Sequence, residues 1–507
     1  MLRTPILYAF IALATMLALS FGLRKSDFTD VAGSQNLEAS YHVLLTVKAL
    51  DESPARNHLF LPSVSLGNEA DKQIPWGATV PTKTGDYIYT SFNFPGFVAP
   101  YLWFKSFGIE QSITNLAYFN ILLGAISSLT LLILCYALLR ASGYSESISS
   151  FAALLACAVS IFSREALLSQ GLTYWAQSLY QVILGMTLLY LYKFLGARKK
   201  SAAFYALVVL TFFGALTEWS GYVLNAGLVL LLWIGCRGNK ESRRLAVWIF
   251  AATALAALAT VAHFSAAVGF SPALDAILGR FLARSTGAGS ITGLVQGYGL
   301  SYGLFLLLVV GIAAVSGFTK KAATEPSDRV LLVFLAACIP LIENLVMLQH
   351  ATEYTFDRLK FIFPAALIFA FCFARSKLAG RVFILAALIA ASIQGYKSYR
   401  TDLANYSAWA AIDKSNHAFA EKIKASAAST CAVFVSSIGV RGYANLLFNH
   451  GVYEYMTPQD ADVLLQRRKG CELVYIEGSF AFPDLPKYSK ATIRKEDGRV
   501  ELINSGL

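Results

Sequence analysis

PILYAFIALATMLALSFGLRKSDFTDVAGSQNLEASYHVLLTVKAL, residues 5–50, joins two opposite kinds of chain. Its first part, 5–23, is apolar and uncharged, as a membrane span must be. Arg3 in front of it places its start in the cytoplasm and the polar region 24–90 outside. An uncleaved span fits better than a signal peptide, because no small-x-small cleavage site precedes Lys25 and many apolar runs follow. Beyond it, Leu37, Tyr41, Leu44 and Leu45 recur at helical spacing, with Asn36 as N-cap and Pro54 past the end. A helix is expected over 37–50, with Glu38 in its first turn, where the helix dipole favours a carboxylate. Pro62, Gly67, Pro75, Gly77, Pro81 and Gly85 predict irregular loop. The aromatic residues between Tyr87 and Phe107 suit the headgroup level, so 96–107 reads as an interfacial helix or half of a re-entrant pair.

Working outward, the chain has 507 residues, 56% hydrophobic and 14% charged. Soluble domains carry about a quarter charged residues. Apolar runs at 5–23, 116–139, 148–162, 175–194, 203–216, 222–234, 245–264, 298–315, 330–348, 359–373 and 382–393 predict about eleven spans. That count puts Arg140, Lys199, Lys200, the Arg237–Arg244 group, Lys320, Lys321, Arg375, Lys377 and Arg381 all on the cytoplasmic side. Each loop supports the same alternation, as orientation by charge requires. The net charge of +11 therefore reflects membrane orientation and gives no reason to expect nucleic acid as a partner. There is no Walker A motif, no dinucleotide fingerprint and no zinc-type cysteine spacing.

Residues 396–507 read as a soluble α/β module on the external side: strands at 432–438 and 473–476, a hairpin over 491–503, and helices at 406–426, 443–448 and 461–466. The division is thus 1–395 for the membrane domain, with its external loop 24–94, and 396–507 for the module. In an external compartment Cys431 and Cys471 pair as a disulfide; the competing reading is two buried thiols.

The chemistry-bearing residues gather in the external loops. Asp27, Asp30, Glu38 and His42 lie in the first, and Arg164 and Glu165 follow the third span. Arg280 and Arg284 lie in the loop 265–297. His350, Glu353, Tyr354, Asp357, Arg358 and Lys360 follow the ninth span. Glu343 sits mid-span near Pro340, and Glu218 beside Trp219; charges so placed face a cavity or pair with one another. Carboxylates can deprotonate a hydroxyl. Arg280, Arg284, Arg358 and Lys360 can neutralise a phosphate, arginine by bidentate contact.

This layout resembles the GT-C superfamily of integral-membrane glycosyltransferases. The resemblance rests on Asn36-Leu37-Glu38-Ala39-Ser40-Tyr41 after the first span, Arg164-Glu165 after the third, and Gln349 to Arg358 in a late loop. It implies a polytopic α-helical membrane protein, with about eleven transmembrane helices in a GT-C-like arrangement and a C-terminal soluble α/β module. It implies Glu38 as catalytic carboxylate, with Asp30 competing and Glu165 as the second acid. His42, Arg164, Arg280, Arg284, His350, Glu353, Tyr354, Arg358 and Lys360 then bind substrate. The implied reaction is inverting transfer of a sugar from a polyprenyl-phosphate-linked donor to a glycan, lipid or protein hydroxyl, at the periplasmic face of a bacterial inner membrane. A divalent cation shared by Glu38 and Glu165 is one option, since some relatives use a metal and others do not. Two rival readings are an envelope polysaccharide polymerase and a lipid-linked-glycan transporter without enzymatic activity.

Overall fold

The computed structural model describes residues 4–28, 37–66, 79–90, 94–197, 201–236, 238–286, 289–318, 328–405, 432–436, 452–453, 472–477, 491–496 and 499–505, with Asp462 and Gln466. By contacts the chain divides into two compact units. One comprises Met1–Thr29, Ala117–Thr260 and Phe281–Ala404; the other comprises Asp30–Leu116, Val261–Arg280 and Asn405–Leu507.

The protein is a polytopic α-helical membrane protein. Among the described residues, six helices are long and apolar enough to cross a membrane: Thr4–Phe28, Ile113–Ala141, Ala176–Ala197, Lys240–Val268, Asp328–Val346 and Leu378–Ala404. Two bent pairs bring the number to eight if each is one span. The expectation of about eleven spans is corrected accordingly. Several apolar runs break where polar residues are buried, which leaves shorter pieces such as Ala202–Thr217 and Trp219–Gly235. Likewise the run expected over 359–373 begins as a 3₁₀ turn, Thr355–Phe361, and only then becomes the helix Ile362–Arg375.

The breaks have local causes. Ser163 is extended and accepts a hydrogen bond from the Ala166 amide, so it caps a new helix, Arg164–Leu167, bent 62° from the pair's first half. The pair Ile291–Tyr302 and Leu304–Ile312 bends by 106° at Gly303, whose φ is +50°. With ψ at −121° this is a backbone conformation that L side chains rarely adopt, so the bend favours glycine. Between Ala202–Thr217 and Trp219–Leu230 the extended residue Glu218 makes the turn. Gly221 lets the two helices close there, since its Cβ would lie 2.2 Å from the Gly214 carbonyl oxygen.

The end of the last helix is tied to the start of the chain. Arg400 bonds Asp27 at 2.6 Å, and the Tyr399 hydroxyl donates to the same carboxylate at 2.9 Å. The helix Leu378–Asn405 thus ends beside the end of the first span.

In the second unit the expected helix over 37–50 is found as Leu37–Glu52, and the helix over 96–107 as Phe94–Phe107. The two pack together, and Lys105 pairs with Asp51. A hairpin, Thr79–Pro81 with Tyr87–Tyr89, closes over Leu61, Ile88, Phe264, Ala267, Val268 and Ala273. The C-terminal strands form one five-stranded sheet, in the order 452–453, 432–436, 472–477, 491–496, 499–505. All its pairings are parallel except the last, the expected hairpin. The expected helices of this region, apart from Asp462 and Gln466, lie outside the described residues, as do Cys431 and Cys471.

Candidate functional site

The site grows from one interrupted stretch, residues 341–361. Leu341–Val346 and Leu348–Glu353 are single-turn helices separated by Met347, and Tyr354 leads into the 3₁₀ turn Thr355–Phe361. In a 3₁₀ turn, residues three apart eclipse each other. Asp357 and Lys360 therefore share one side, while Arg358 points to another.

On Arg358's side lies Glu165. The carboxylate is fully buried and accepts hydrogen bonds from Ser169, one turn on, and from Ser301 at 2.7 Å. Arg358 donates from Nε to the Ser301 hydroxyl at 2.8 Å and from Nη1 to the Ala351 carbonyl at 2.6 Å. The Tyr302 hydroxyl donates to the Arg358 carbonyl at 2.6 Å. Arg358 is thereby committed to holding the stretch in place. Arg164 does not pair with its neighbour Glu165; its Nε bonds Asp402 at 2.5 Å. Beneath them Arg24 donates to the Leu167 carbonyl at 2.7 Å.

On the other side are two further buried pairs. Asp357 accepts from the Gln177 amide at 2.5 Å and pairs with His350. Burial pushes this carboxyl up, but the hydrogen-bonded His350, with Lys360 and Arg284, outweighs it and holds the group well below the usual carboxylate range. Lys360 pairs with Glu343 and donates to the Ser220 hydroxyl at 2.8 Å.

Two groups in the same electrostatic neighbourhood differ from these. Arg284 is 3% exposed, and its Nε makes no hydrogen bond among the described residues. Glu218 is 2% exposed, and its Oε2 has no partner there either. Burial and the nearby Asp357 and Glu343 push the Glu218 carboxyl up to about 8, against the pull of Lys360 and Arg284. Trp219 packs on Phe281 with ring centroids 5.3 Å apart, which brings the two helices together beside these residues.

The remaining expected residues are placed as follows. Glu353 and Tyr354 are exposed, with Tyr354 stacked on Phe356 at 5.4 Å and beside His350 at 4.6 Å. In the second unit, His42 lies against Tyr89 with ring centroids 5.1 Å apart, and Arg280 donates to the Tyr89 hydroxyl at 2.7 Å. Glu38 stands in the first turn of Leu37–Glu52; its side chain, and Asp30 altogether, lie outside the described residues. Sequence reasoning gave no role to Ser301, Ser220 or Asp402. Glu218 had a signal, a carboxylate at the junction of two apolar runs. Among the described residues no group of three or more His, Cys, Asp and Glu side chains is arranged to hold a metal ion.

No protein-family profile matches the sequence. No curated protein matches it either. Solved structures do share the fold. ArnT from Cupriavidus metallidurans bound to undecaprenyl phosphate superposes with a TM-score of 0.58 at 11% identity, over 98% of this chain and 97% of that one. The apo oligosaccharyltransferase from Archaeoglobus fulgidus gives 0.54 at 15% identity, over 90% of this chain. This chain spans 65% of the archaeal enzyme's length. The same enzyme in complex with Zn and sulfate gives 0.51 at 13% identity. At such identities the likeness carries the fold.

Proposed function

We propose that this chain is a membrane glycosyltransferase that moves a sugar from a polyprenyl-phosphate carrier to the hydroxyl of a glycan, lipid or protein. The observation that carries the reading is Arg284, a buried side chain whose Nε has no hydrogen-bond partner among the described residues. A phosphate oxygen completes such a group by charge-assisted contact. Arg358 and Lys360 are already engaged, and Arg284 takes the phosphate. Next to this region an apolar groove of about 700 Å³ runs between Trp219–Gly235 and Asp328–Val346, from Asp328 to Ile342, the residue before Glu343. Its lining of Val223, Leu230, Leu331 and Leu335 suits an isoprenoid tail. The shared fold with an undecaprenyl-phosphate-bound structure supports the same ligand class.

In the proposed reaction the acceptor hydroxyl oxygen attacks the anomeric carbon. The anomeric carbon–oxygen bond to phosphate breaks, and its electron pair leaves with the polyprenyl phosphate, inverting the centre. The acceptor proton goes to a carboxylate. Glu38 is the proposed base, on its place in the sequence after the first span, and Glu165 the second acid, with Asp30 as the alternative base. Whether a divalent cation assists is part of the same test. The proposal places the reaction at the periplasmic face, with residues 396–507 as a soluble domain there. Purified protein in nanodiscs, given a polyprenyl-phosphate-linked sugar and a membrane acceptor extract with and without chelator, should form a covalent product. Glu38→Gln should stay folded and lose that product; unchanged turnover would overturn the assignment of the base.

A further inference from the structure

Resting on that reading, the geometry points to Glu218 as an acid that protonates the phosphate held at Arg284. Three buried groups here share one property. The Glu218 Oε2, the Arg284 Nε and the Tyr180 hydroxyl each lack a hydrogen-bond partner among the described residues, and each residue is at least 97% buried. Tyr180 and Arg284 both act electrostatically on, or are acted on by, Glu218. An unmatched buried polar group is a place that a ligand can complete. An acid, a phenol and a guanidinium form a complementary set for one ligand: an anionic phosphate oxygen for Arg284, and further oxygens for the two hydroxyl donors.

The charged groups facing Glu218 are Asp357, Glu343, Lys360 and Arg284. The two acids and burial favour its protonated form at neutral pH. Arrival of an anion at Arg284 strengthens that preference. The acid O–H then donates to a phosphate oxygen. As the anomeric carbon–oxygen bond breaks, its electron pair goes to phosphate and the Glu218 proton follows onto a phosphate oxygen. Glu218 is left as a carboxylate beside Lys360 and Arg284. The base then gives the acceptor proton to solvent, and Glu218 takes one proton back from solvent once the carrier leaves, so protons balance over the cycle.

The test uses the full chain in nanodiscs and a farnesyl methyl phosphate diester, whose single charge is constant from about pH 6 to about pH 10, so the profile reports the protein alone. Wild-type affinity should weaken about tenfold between about pH 7.5 and about pH 9.5, because binding requires the acid form. Calorimetry near pH 8.5 in two buffers of different ionisation heat should show proton uptake on binding. Glu218→Gln keeps a donor, so it should bind as wild type near pH 7.5, show no pH dependence to about pH 9.5, and lose turnover by about a hundredfold. A flat wild-type profile, zero proton uptake, or a Gln variant with the wild-type profile or turnover would each overturn the inference. Arg284→Gln discriminates the underlying reading: undiminished diester binding would overturn phosphate capture by Arg284, whatever Glu218 does.

Discussion

Removing the Lys360 ammonium should destabilise the protein far more than removing the whole ion pair. Lys360 and Glu343 are each 2% exposed, and the Ser220 hydroxyl is bonded to both. In Lys360→Met the Glu343 carboxylate keeps one hydroxyl donor and loses its counter-charge inside an apolar bundle. Breaking a buried pair from one side costs about 3–5 kcal/mol, whereas replacing both partners with apolar groups is often neutral or stabilising by about 1–4 kcal/mol. The double variant Lys360→Met/Glu343→Leu should therefore recover most of what the single variant loses. Unfolding of purified protein in mixed dodecyl sulfate–detergent micelles, followed by tryptophan fluorescence, gives the three free-energy differences and the coupling between them. The same variants assayed for donor affinity separate structure from binding. If Lys360→Met unfolds like wild type yet loses donor affinity, Lys360 is a phosphate ligand and the ion-pair reasoning is refuted.

Asp357 gives a pH prediction. Its folded-state carboxyl is held below the unfolded value of about 4, so its stabilisation is complete above that value and is lost as pH falls through it towards the lower folded value. Asp357→Asn should lower stability at neutral pH and flatten the acid limb of the stability profile below about pH 4; an unchanged acid limb would show that the group does not carry it. Gly221→Ala should cost about 1–3 kcal/mol, because the added Cβ meets the Gly214 carbonyl oxygen at 2.2 Å. Gly299→Ala, in the helix Ile291–Tyr302 with nothing within 4 Å, should be neutral or stabilising by about 0.5–1 kcal/mol; equal effects at the two sites would sink the packing argument.

What was legible in the sequence was what apolar length, charge alternation and helical spacing encode. Leu37–Glu52 follows from Leu37, Tyr41, Leu44 and Leu45, and the C-terminal strands from their β-branched runs. The number of long helices was not legible, because hydropathy averages over a break. Ser163, Gly303 and Glu218 each end a helix by local conformation while leaving the surrounding run apolar. The pairing within the site was hidden for a related reason. Arg164 sits beside Glu165 in sequence yet bonds Asp402, whereas Glu165 is held by Ser301, an ordinary small residue in an apolar run. Arg358 and Lys360, two residues apart, both read in the sequence as cations available to a phosphate. The 3₁₀ turn sends them to different sides, where each meets its own carboxylate neighbourhood.

Charge arithmetic in this neighbourhood argues that it is built to receive something. Glu343 is matched by Lys360, and Asp357 by His350 and Gln177. That leaves Glu218 facing Arg284, and burial favours the neutral acid. With Glu218 neutral, the Arg284 charge is left for an arriving phosphodiester to balance. Every member then has a partner: Glu343 with Lys360, Asp357 with His350 and Gln177, the anion with Arg284 and the Glu218 acid. Without the anion, Arg284 and the free Glu218 oxygen are the members left over. A chain selected only for stability would replace these two buried groups with apolar ones of similar size, since unmatched buried polar groups cost more than the apolar core they displace. Their retention beside an isoprenoid-sized groove is what a ligand-completed site requires.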